Sequence, residues 1–96
     1  MRGILAAAIG TVAIVAATMA SAEPPAGAAS CSGCHATSSR VTTPVPRLIG
    51  RERSDIVKAM QDFRSGARAG TVMDRIAKGF TDDEIQAIAA WYATQR

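Results

Sequence analysis

Aromatic residues are scarce: two Phe, one Trp and one Tyr in 96 residues, at Phe63, Phe80, Trp91 and Tyr92. A short chain with so few large apolar side chains rarely stabilises a fold by its core alone and usually needs a staple. Cysteine and histidine are scarcer still, because Cys31, Cys34 and His35 are the whole supply. A structural zinc site wants four such ligands, typically in two pairs, so the chain is short of zinc ligands. No stretch alternates apolar and polar residues as a strand does, which argues against a thioredoxin-like βαβ unit. No G-x-G-x-x-G occurs, so a dinucleotide-binding fingerprint is absent from this sequence. Charge is weak as well. The formal net charge is +3 at pH 7, too small a balance to suggest nucleic acid as a partner.

What is present begins with the N-terminus. After Met1-Arg2 the chain runs from Gly3 to Ala22 without a charge, apolar from Ile4 to Ala17 and closing on Ala20-Ser21-Ala22. A basic start, an apolar stretch and an A-x-A site predict a secretory signal peptide over 1–22, cut after Ala22. The alternative is an uncleaved anchor, since about 20 uncharged residues just suffice to span a bilayer. Alanine and glycine dilute this run, and the small-residue site is well formed. The expectation is therefore export, to a bacterial periplasm, of a single domain over 23–96, with no membrane association afterwards.

In an exported chain the stretch CSGCH, 31 to 35, has four readings. Zinc and a redox dithiol lack their context. A disulfide suits an oxidising compartment but does not account for a histidine directly after the second cysteine. C-x-x-C-H is the c-type haem attachment signature, with two thioether bonds from Cys31 and Cys34 and His35 as an axial iron ligand. On a helical turn the two sulfurs lie on one face at i, i+3 and the imidazole follows at i+4. Ser32 and Gly33 are small enough for the backbone to lie against a flat ring.

The remainder predicts an all-α chain. Residues 23–29 form a Pro/Ala/Gly entry, and 36–53, with Pro44, Pro46 and Gly50, form a loop around the haem. Ser54 is the expected N-cap of a helix with Asp55 in its first turn. Ile56, Val57, Met60 and Phe63 recur at helical spacing, and Gly66 is the stop. Met73, Ile76, Ala77 and Phe80 form a shorter pattern interrupted by Gly79. Thr81-Asp82-Asp83-Glu84 is a capping box ahead of the stripe Ile85, Ile88, Ala89 and Tyr92.

CSGCH, PRLIG and the terminal TDDEIQAIAAWYATQ together resemble class I c-type cytochromes, whose first and last helices cross beside the haem. The resemblance covers nearly all of 23–96 and implies a small fold of helices and loops wrapped around one covalent haem. The P-x-L-x-G pattern falls on Pro46, Leu48 and Gly50, which implies that the Pro46 carbonyl accepts the His35 Nδ1 proton and orients the ring; the bland alternative is a proline that only rigidifies its loop. The sixth iron position has Met60, Met73 or nothing to fill it, as Met1 and Met19 leave with the signal. Met60 lies mid-helix, where methionine usually fills core, although Met73 has helical neighbours too. The family order of helix, loop, methionine and C-terminal helix points to Met73. The stretch from Phe63 to Gln95, with T-V-M-x-R-I-A-K-G around Met73, is similar to the haem subunit of flavocytochrome c sulfide dehydrogenases. A single C-x-x-C-H makes this a single-haem version, and a flavoprotein partner in sulfide oxidation would be a separate chain.

Two function classes follow. One is an electron carrier, not itself an enzyme and with no catalytic residues, serving a sulfide-oxidising flavoprotein or acting as a free shuttle. The other is a haem-based binder of small ligands with an open sixth site. Arg40, Arg47, Arg51 and Arg53 after the haem motif, with Arg64, Arg68, Arg75 and Lys78 around Met73, are mostly solvated surface but together would steer acidic redox partners. Covalent attachment has a direct check. In acid acetone the haem is expected to stay with the polypeptide, and its extraction into solvent would overturn the thioether assignment.

Overall fold

The computed structural model describes residues 3, 6–14 and 23–96. Residues 6–14 form no regular secondary structure and leave Ile9, Val12 and Ile14 exposed. The cleavage site expected at Ala20-Ser21-Ala22 lies outside the described residues. No described helix is long and apolar enough to cross a membrane.

Four α-helices follow: α1 (Ala28–Cys31), α2 (Arg53–Ser65), α3 (Met73–Ile76), which runs into a 3-10 turn at Ala77–Gly79, and α4 (Asp82–Thr94). The described residues contain no strand and are all-α where they are regular. The capping box forms at α4 as its sequence demands. Thr81 Oγ1 accepts from the Glu84 amide at 3.2 Å, and Glu84 Oε1 accepts from the Thr81 amide at 3.0 Å. That amide holds the Glu84 carboxyl below the usual carboxylate range. Asp82, Asp83 and Glu84 also place negative charge at the positive end of the helix dipole.

One local expectation is corrected. Ser54 is not the N-cap of α2; Glu52 holds that place without a side-chain cap, and Ser54 lies in the first turn. Asp55 and Ile56 amides both donate to the Glu52 carbonyl, so the helix is under way before the serine. Burial of Ile56 and Val57 sets the start of this helix more strongly than a serine hydroxyl does. Gly66 ends α2 in the left-handed conformation, φ +84°, as a C-terminal glycine should.

Helix α2 packs on α4, Ile56 and Val57 against a stripe of Ile85, Ile88, Ala89 and Tyr92. Ala28 of α1 joins the same cluster. Arg64 pairs with Asp82 at 2.7 Å across the two helices, a contact of at most about 1 kcal/mol given its exposure.

This core is thin. Among its buried members Ala28, Ala77 and Ala89 contribute only methyl groups, and beside it lies a cavity of about 890 Å³. Apolar side chains that face a void lose the dispersion partners that stabilise a packed interior. The polypeptide without its bound group is therefore expected to show weak, uncooperative helix by circular dichroism. A sharp two-state melt of the unloaded chain would contradict that expectation.

Candidate haem site

Cys31, Cys34, His35, Pro46, Met60 and Met73 all line the large cavity. Its remaining walls are largely apolar, with Leu48, Ile56, Phe63, Ile85 and Ile88 among them, and Arg51 and Arg68 outweigh the single negative charge of Asp55. Residues from four separate segments of sequence thus meet around one space of cofactor size.

The cysteines sit on a tightened continuation of α1. Amides of Ser32, Gly33 and Cys34 donate to carbonyls three residues back, at 3.3, 3.2 and 3.2 Å, and His35 N donates to Cys31 O at 2.9 Å. Residues at i and i+3 on such a turn share a face, so both sulfurs are presented together. Cys31 is half-buried and Cys34 exposed. Burial pushes the Cys31 thiol above its ordinary range.

His35 is held from the loop. Its Nδ1 lies 2.5 Å from the Pro46 carbonyl oxygen. A carbonyl only accepts, so Nδ1 carries the proton, and the neutral ring then has its lone pair on Nε2. That is the tautomer a metal ligand needs.

The two methionines of the domain differ in their surroundings. Met60 is partly buried against the α2–α4 core, whereas Met73 opens α3 and is not packed on that cluster. Met73 follows a loop that passes close to α2. A Cβ built on Gly70 would stand 2.9 Å from Phe63 Cε1 and 3.4 Å from Met73 Cβ, and the Arg68 guanidinium lies over the Phe63 ring, 4.8 Å from its centre.

Three features of the site escaped the sequence patterns. Gly27 is left-handed at φ +85°, and a Cβ there would stand 2.6 Å from Phe80 Cε1 and 3.6 Å from Ile88 Cδ1. Glycine ahead of CSGCH thus lets α1 approach α4; the signal was a glycine in a stretch that reads only as an entry loop. The Tyr92 hydroxyl, assigned to an apolar stripe, donates to Ala28 O at 2.5 Å and contacts Ser32 Oγ at 2.8 Å. Arg51 and Arg68 belong to the cavity wall, where nothing but the fold could have set them apart from the other arginines.

No family model matches the chain. Among individual proteins, it is 41% identical over 63 residues to the cytochrome subunit of sulfide dehydrogenase of Chlorobaculum tepidum, covering 66% of this chain and 57% of that protein. It is 37% identical over 78 residues to cytochrome c4 of Thiocapsa roseopersicina, covering 76% of this chain and 40% of that one. It is 32% identical over 69 residues to cytochrome c-554(548) of Halomonas halodenitrificans, covering 68% of this chain and 83% of the relative. The chain belongs to the class I c-type cytochromes. It spans 57% of the sulfide dehydrogenase subunit and 40% of that cytochrome c4.

The cofactor of this family is covalent haem c, and the residues present fit it. A thiol pair on one face, an imidazole fixed in one tautomer, thioether sulfurs, apolar walls and two arginines match a flat apolar ring that carries iron and two carboxylates. The close approach at Gly27 yields a quantitative expectation. Gly27→Ala puts an alanine in the left-handed region and displaces the Phe80 ring, so thermal denaturation of the loaded protein should report a loss of at least about 1 kcal/mol. An unchanged melting temperature would show that the approach of α1 to α4 tolerates a side chain.

Proposed function

We propose that this protein is an exported electron carrier in which Cys31 and Cys34 bind haem through thioethers and His35 and Met73 are the axial iron ligands. The observation that carries this is the meeting of all four residues around one cavity. The bound haem supplies a one-electron ferric/ferrous couple. His35 donates through Nε2, and Pro46 orients its ring by accepting the Nδ1 proton. Met73 supplies a soft, weakly basic sulfur that favours ferrous iron and so raises the potential. With His35 and Met73 both holding the iron, the chain would bind no substrate at the metal and would carry electrons without being an enzyme by itself.

Residues 1–22 act as a signal peptide and 23–96 as the periplasmic domain. Ile9, Val12 and Ile14, exposed to solvent at 91, 83 and 88%, lie off the packed domain, in keeping with a leader. The partner we favour is a sulfide-oxidising flavoprotein, which the likeness to a sulfide dehydrogenase cytochrome subunit supports. A free single-haem shuttle is the second reading, favoured by the 83% coverage of cytochrome c-554(548).

Substitution at the two methionines tests the ligand set. Met73→Ala is expected to abolish the weak charge-transfer band of ferric methionine-ligated haem, lower the potential and admit carbon monoxide to the reduced iron. Met60→Ala should leave ligation intact and cost about 2–5 kcal/mol of stability, as for emptying a methionine site in a core. Exchanged phenotypes would make Met60 the ligand. A spectrum unaffected by either substitution would favour an open sixth site and a ligand-binding role.

A further inference from the structure

Tyr92 is 1% exposed, and its stripe position alone requires only an apolar ring. Its polar atoms make more specific contacts. The hydroxyl donates its single proton to Ala28 O at 2.5 Å, so in the 2.8 Å contact with Ser32 Oγ the serine donates to the phenol oxygen. Ala28 and Ser32 bracket Cys31 on the turn that continues to His35, and His35 N is bonded to Cys31 O. The backbone carbonyl of the same tyrosine accepts from Gly50 N at 3.1 Å. Gly50, at φ +74°, closes the turn in which Arg51 N donates to Leu48 O. That turn begins two residues after Pro46, whose carbonyl holds His35 Nδ1.

The contacts form a closed circuit. From the Tyr92 hydroxyl it runs through the cysteine turn to His35, across to Pro46, along the loop to Gly50, and back to the Tyr92 carbonyl. The Trp91 ring stands edge-on to the Tyr92 ring, centroids 4.8 Å apart at 82°, and limits its swing.

We propose that Tyr92 is a positioning residue for the axial histidine: one side chain and its own carbonyl fix both the turn that carries His35 and the loop that carries the acceptor of its Nδ1 proton. The geometry of that hydrogen bond, and with it the donor strength of Nε2, depends on a residue that touches neither His35 nor haem iron. This rests on the assignment of His35 as an axial ligand. A better-aligned Nδ1–H···O bond makes imidazole a stronger donor and favours ferric iron; a looser one raises the potential.

The test uses the haem-loaded protein. Tyr92→Phe keeps the ring and the Gly50 contact but removes both hydroxyl bonds. It should speed solvent exchange of the His35 Nδ1 proton, followed by paramagnetic NMR, roughly tenfold, consistent with a lost hydrogen bond, and shift the potential upward. Ser32→Ala, which removes only the serine's donation, should move both readouts in the same direction by less, and it serves if Tyr92→Phe fails to mature. Thr81→Ala destabilises the same helix from its far end and should leave exchange and potential at wild-type values. Wild-type exchange and potential in Tyr92→Phe would overturn the proposal, as would equal shifts in Thr81→Ala. If the wild-type protein itself gives no hyperfine-shifted imidazole resonance, His35 is not the ligand and the underlying assignment falls first.

Discussion

The contact between the cysteine turn and the C-terminal helix is the constraint on which the rest of the molecule depends. Ala28, Ile88, Ala89 and Tyr92 pack together there, and Gly27 allows an approach that any side chain at that position would obstruct. Because α2 also lies on α4, this one helix supports both the segment with CSGCH and the segment with Met60. The cavity is what remains between them once those contacts are made. Its lining is largely apolar, with Leu48, Ile56, Phe63, Ile85 and Ile88 turned toward it. A covalent ring completes such a core, since in a small domain the bound group substitutes for the missing large side chains.

How legible this was in the sequence depended on the range of the cause. CSGCH, the T-x-x-E box at Thr81 and the glycine stop at Gly66 are local rules, satisfied within a few residues, and the structure places helices α4 and α2 accordingly. The start of α2 departs from its local signal, because Ser54 offers a cap that the packing of Ile56 and Val57 overrides. Gly27 and the Tyr92 hydroxyl were illegible for the opposite reason. Their partners, Phe80 and Ala28, are far away along the chain, and a tyrosine in an apolar stripe looks the same whether or not its oxygen is used. The cavity arginines belong to the same category: the sequence shows a crowd of basic residues, and only folding divides it. Arg64 and Arg53 are engaged with Asp82 and Gln86, while Arg51 and Arg68 line the cavity.

The two methionines illustrate why a soft ligand has to be placed with care. A thioether is a weak donor and competes poorly with its own tendency to pack. Met60 has core to pack on. Met73 heads a helix of a single turn after a loop whose Gly70 runs close to Phe63, so its sulfur would give up little packing if it served the proposed ligand role.

The hydrogen bond from Tyr92 to Ala28 joins residues 64 apart, and this has a consequence in time. Closing a loop of that length carries an entropic cost that must be met before the contact returns anything, and the chain emerges from synthesis N-terminus first. Cys31 and Cys34 therefore exist, with their turn unsupported, for the whole interval before α4 arrives. During it both sulfurs are reachable, including the one that the finished fold half-buries. Docking of the last helix is what takes the Cys31 sulfur from an open turn to its half-buried place.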